Sequence, residues 1–81
     1  AVSVYPNPAR EALTISGLGV GRSLIRIYEA RGKLVWELTG SADQVEVPVS
    51  NWDAGLYMIT IDSKELSTRV TNSRQLRFVV E

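Results

Sequence analysis

The chain has 81 residues, 44% of them hydrophobic, and its nine basic and nine acidic residues cancel to zero net charge. A single domain over residues 1–81 is expected, in a chain that buries only about 60% of the surface its unfolded form exposes. Neutral, unclustered charge gives no long-range pull toward nucleic acid or an anionic membrane, the lack of cysteine and histidine removes disulfides, thiolates and the usual zinc and copper ligand sets, and no apolar run reaches the roughly 20 residues that span a bilayer.

No signal peptide opens the chain. Ala1-Val2-Ser3-Val4 already alternates, which predicts a segment cut from a longer precursor. Val2 to Tyr5 reads as a short first strand. Tyr5-Pro6-Asn7-Pro8 then ends regular pairing, because two prolines remove two backbone donors and Pro8 pushes Asn7 toward extended geometry. Glu11 to Ser16 alternates again, with Leu13 and Ile15 facing in. Gly17, Gly19 and Gly21 follow as a reversal. Their spacing resembles a phosphate-cradling loop, but such a loop needs a helix directly after it, and Ser23 to Tyr28 is another strand pattern.

Ile25 and Ile27 point to the core, and Glu29-Ala30-Arg31-Gly32-Lys33 reads as a hairpin connection with Gly32 at positive φ. Leu34 to Thr39 returns, carrying Trp36 as a core anchor or an exposed platform; partial or full burial is the commoner fate of a strand tryptophan. Gln44 to Val49 has the cleanest alternation, valines in and Glu46 and Pro48 out, and its proline marks an edge strand. Ser50 to Gly55 turns the chain, with Trp52 capping one end of the core. Gly55 to Ile61 reads as the central strand, with Tyr57, Ile59 and Ile61 on an apolar face. Asp62 to Ser73 is polar and irregular, although Leu66, Thr68 and Val70 alternate and admit a short extra strand. Arg74 to Glu81 closes as a last strand with Leu76, Phe78 and Val80 inward.

Seven strands at about 10-residue spacing, without helical periodicity, are the pattern of an all-β sandwich or barrel, read here as a sandwich of two antiparallel sheets over one aliphatic core. Chemistry is sparse. Without histidine there is no Ser-His or Cys-His pair, and Ser63 and Lys64 are neighbours in a polar stretch with no sign of the burial that activates lysine. Glu29, Glu37, Glu46 and Asp53 offer carboxylates, but so small a sandwich offers little cleft for a sugar. Asp43, Asp53 and Asp62 lack the close spacing of a calcium loop. No enzyme, cofactor, metal, nucleic acid or small-molecule substrate is expected.

Several stretches occur together in order: Val4-Tyr5-Pro6-Asn7-Pro8-Ala9, Ile25 to Val35 around Gly32-Lys33, Ala54-Gly55-Leu56-Tyr57, and Arg77-Phe78-Val79-Val80. The ordered set resembles the C-terminal sorting domain of the type IX secretion system, type A, over nearly the whole chain. The resemblance implies an immunoglobulin-like β-sandwich at the end of secreted cargo in Bacteroidota. It implies passage from the periplasm through an outer-membrane translocon to the cell surface or medium. It further implies the family's typical last step, a surface sortase that cuts just upstream of the domain and joins the cargo to an anionic lipopolysaccharide. Carried over by position, the family motifs are Tyr5, Pro6, Asn7, Pro8 and Ala9; Gly32 and Lys33; Gly55 and Tyr57; and Arg77, Phe78, Val79 and Val80. Trp52 stands where relatives usually have leucine, and the Asp62 to Ser73 connection is longer than usual.

Gly55 and Tyr57 read as structural, whereas the last strand is the better recognition candidate, because a sheet edge can add a partner strand. The same edge makes exchange of the terminal strand between copies conceivable, so the isolated domain is expected to be a monomer or a weak dimer. The competing reading is an immunoglobulin-like adhesion or carbohydrate-binding module, with Trp36 or Trp52 stacking on a sugar. A third is a purely structural β-sandwich spacer within a large surface enzyme.

Overall fold

The computed structural model describes residues 2–19, 21–64 and 71–81. Among them the chain forms seven strands and no helix: β1 (Ser3–Tyr5), β2 (Ala12–Ser16), β3 (Arg22–Glu29), β4 (Leu34–Gly40), β5 (Val45–Pro48), β6 (Gly55–Lys64) and β7 (Thr71–Val80). They build two antiparallel sheets, β1-β2-β5 and β4-β3-β6-β7. The expected sandwich is therefore the observed one, and β6 is central in the larger sheet.

Alternation explains the layering. Leu13, Ile15 and Val47 of the smaller sheet are fully buried, as are Ile27, Ile59, Ile61 and Phe78 of the larger. Each such side chain contributes about 1.5–3 kcal/mol on leaving water. Their neighbours along each strand face outward, as the two-residue period of a strand requires. Pro48 sits on edge strand β5, where a missing donor breaks no ladder.

Two features differ from the expectation. The β3–β4 hairpin is not regular: Ile27 faces Trp36 while Tyr28 faces Leu34, leaving Val35 as an extra residue in a bulge. The polar stretch after Ile61 is also partly strand, since the β6–β7 ladder pairs Asp62 with Ser73. There Ser73 Oγ donates to Asp62 Oδ1 at 2.6 Å, a polar cross-strand pair where no apolar side chain signals a strand. The extra strand read from Leu66, Thr68 and Val70 lies outside the described residues.

Gly17 to Gly19 lies against the β4–β5 connection, with Leu18 N donating to Asp43 O at 3.0 Å and Gly19 N to Asp43 Oδ1 at 2.7 Å. This fastens the end of the sandwich where β2 leads into β3 and β4 leads into β5.

Candidate functional site

The opposite end is where the motif residues gather. The β3–β4 turn closes with Glu29 N donating to Lys33 O and Gly32 N donating to Glu29 O, both at 2.9 Å. Gly32 has φ +90° and Gly55 has φ +149°, backbone that side chains with a Cβ rarely adopt. No atom stands within 4 Å of a Cβ built at either glycine, so the demand for glycine is conformational, not one of space.

Register then sets neighbouring rows side by side across this end of the sheet. Leu34 pairs with Tyr28, Glu29 with Tyr57, and Tyr57 with Phe78, while Gly55 pairs with Val80. Pairing continues past Val80 of β7 into the opening motif. Ala9 is fully buried and bridges Val80 in parallel, its N–H donating to Val79 O at 2.7 Å and its carbonyl accepting from Glu81 N at 2.9 Å. The Asn7 side chain takes the next group, as Val79 N donates to Asn7 Oδ1 at 3.0 Å. Arg10 adds an exposed ion pair to Glu81 at 3.1 Å, a contact of small worth in water. Segments from four parts of the chain thus meet at one pole.

Aromatic packing fills the pole from within. Tyr57 and Phe78 stack at 5.5 Å between ring centroids, and Trp52 lies 5.2 Å from Tyr57 and 6.4 Å from Phe78. Offset and tilted ring pairs at such distances add about 0.5–1.5 kcal/mol beyond burial. The Tyr57 hydroxyl donates to Asp53 O at 2.7 Å. Burial first, then the charges of Asp53 and Glu29, raise the Tyr57 phenol above its ordinary value. Trp52 is half-buried against the core, as its expected capping place requires, and Trp36 is half-buried on β4.

The motif residues do not all converge side chain to side chain. Phe78, Val80, Tyr57 and Ala9 are buried, whereas Tyr5, Pro6, Asn7, Pro8, Gly32, Lys33, Gly55, Arg77 and Val79 are exposed. Tyr5 pairs with Thr14 on the other sheet, and Pro6 and Pro8 border a shallow groove with Arg10, Glu11 and Ala12. Leu56 and Val79 pair on the outer face of the larger sheet. Asp53 as the acceptor for Tyr57 and Glu81 as the partner of Ala9 and Arg10 escape sequence reading. Nothing in a chain separation of 71 residues signals the contact between Arg10 and Glu81. The edge of β7, expected to be open, is occupied at its C-terminal end by Asn7 and Ala9.

Comparison with known proteins agrees with this architecture. No curated protein matches the sequence. A solved structure described as PorZ, an essential bacterial surface component of the type-IX secretion system of Porphyromonas gingivalis, superimposes with a TM-score of 0.78 at 24% identity. The match covers 100% of this chain but 11% of that one, so it speaks for the fold. The family model for the secretion system C-terminal sorting domain matches residues 3–73, a span that includes the first three motif segments and stops short of Arg77 to Val80. With that span and the resemblance in its ordered motifs, the chain belongs to the family of type IX secretion C-terminal sorting domains.

Proposed function

We propose that this sandwich is a non-catalytic export address: joined to the end of a cargo protein, it is read in folded form by the outer-membrane machinery of the type IX system. The observation that carries the proposal is the meeting of four distant motif segments at one pole, which exists only once the chain has folded. The path of the chain supports it. Ser3 pairs with Ser16, away from the pole, so cargo joined ahead of β1 leaves the pole uncovered. A periplasmic stage, removal by a surface sortase upstream of β1 and attachment of the cargo to anionic lipopolysaccharide complete the proposed route.

The test is a fusion of residues 1–81 to a periplasmic reporter in a type IX host. Surface delivery is expected for the intact sandwich. Retention of a folded fusion in the periplasm would refute the proposal. The alternative of a carbohydrate-binding module is separable by titrating tryptophan fluorescence with glycans, because Trp52 is already engaged with Tyr57 and Phe78.

A further inference from the structure

The outer edge of β7 is divided. Val79 turns both its N–H and its carbonyl away from β6, toward Asn7 Oδ1 and Ala9 N. The β6–β7 ladder runs without a register shift, so the two-residue period turns the N–H and C=O of Arg77, Gln75 and Ser73 to the same side. Among the described residues, none of these groups has a backbone or side-chain partner across that edge. The edge is also cationic. Arg77 lies on the outer face beside Met58, Arg74 lies on the opposite face beside Ile61, and both are exposed. Neither meets a carboxylate among the described residues, whereas Arg26 pairs with Glu37 and Arg10 with Glu81.

We propose that the β7 edge from Ser73 to Arg77 is a docking site for an extended acidic segment of a partner protein, added as a fifth strand of the larger sheet. Asn7 and Ala9 show how this edge is satisfied and fix where the added strand must stop. Main-chain bonds supply the attraction common to any strand, and carboxylates near Arg74 and Arg77 supply the selection. A second copy is the weaker occupant, since two β7 edges would bring four arginines along one short ladder with no acid between them. The docking geometry stands apart from the export reading and rests on it only for where the partner strand comes from.

The test uses the 81-residue chain and a blocked synthetic peptide of repeated Glu-Val-Thr, which sets carboxylates on both faces, against a matched Lys-Val-Thr peptide. Amide exchange followed by nitrogen–proton NMR should show the Gln75 and Arg77 amides protected by the acidic peptide alone. Arg74→Glu with Arg77→Glu should weaken that peptide about tenfold or more. Gln75→Pro removes an outward donor while leaving the inner ladder whole, so binding should be lost with the melting curve and circular dichroism retained. Equal protection by both peptides, no protection at either amide, or protection that grows with protein concentration in the peptide-free chain would each overturn the proposal, the last by naming a second copy. In the reporter fusion, Gln75→Pro should reduce surface delivery. Failure of the unaltered fusion to export would sink the export reading only, leaving the peptide result to decide the docking site.

Discussion

Asn7 and Tyr57 each close one end of the motif pole with a single hydrogen bond, and they are the residues where small changes tell most. Asn7→Ala removes the acceptor for Val79 N and should cost about 1 kcal/mol. In a domain of this size that lowers the melting midpoint by about 4–8 °C. Asn7→Asp keeps an acceptor oxygen and should retain most of that stability, which thermal melts of the two variants will decide. Tyr57→Phe keeps the ring stack and loses the bond to Asp53 O, again about 1 kcal/mol. The pH dependence has a definite sign. The folded chain holds the Tyr57 phenol above its unfolded value of about 10, so this contribution is full below pH 10 and is lost as pH rises through the folded value. Denaturant titrations across the alkaline range should show a steeper fall for the native chain than for Tyr57→Phe. Parallel slopes would remove Tyr57 from the account.

Among the elements, β7 carries both core side chains and the edge proposed for recognition, and a truncation confuses the two. Deleting Leu76 to Glu81 should abolish export, but it also strips Phe78 and Val80 from the core and the partner from Ala9. Export surviving that deletion would remove the last strand from any account of recognition. Phe78→Ala separates the two from the other side. It leaves the edge backbone in place and opens a cavity, costing about 3–5 kcal/mol, so chemical denaturation should show a much less stable chain. The strands themselves were legible because most put one face to the core: Leu13 and Ile15, Ile25 and Ile27, Tyr57 and Ile59 announce β2, β3 and β6 by alternation. Gly32 announced the hairpin through the positive φ its turn needs. The ends of β6 and β7 were not legible, because Asp62 and Ser73 are polar and alternation carries no signal where neither face is apolar. The bulge at Val35 was hidden for a related reason, since β4 is exposed along most of its length. At the pole, sequence named the motif residues but not their meeting. A buried alanine in a proline turn looks like any loop residue, and the bond from Ala9 to Val79 is a fact of tertiary closure.

For the whole molecule, both sheets have edges, and the larger sheet ends on β4 and β7. On β4, Leu34, Val35 and Leu38 are exposed, and the bulge beside Val35 spoils a flat template for another chain. On β7, exchange between copies would require breaking a ladder from Gly55–Val80 to Lys64–Thr71 together with the bonds to Asn7 and Ala9. The isolated chain is therefore expected to be a monomer with at most weak self-association. Light scattering over a concentration series will report it, and a stable dimer at low concentration would contradict it.

The contact of Ala9 with Val79 and Glu81 also orders events in time. A ribosome delivers residue 9 long before residue 79, so Ala9 can make these bonds only once the last strand has been synthesised. An interrupted translation product that stops short of Phe78 has no partner for that alanine and no lid over Tyr57. Under the proposed export role, the pole is complete only on chains that include Val79 and Glu81.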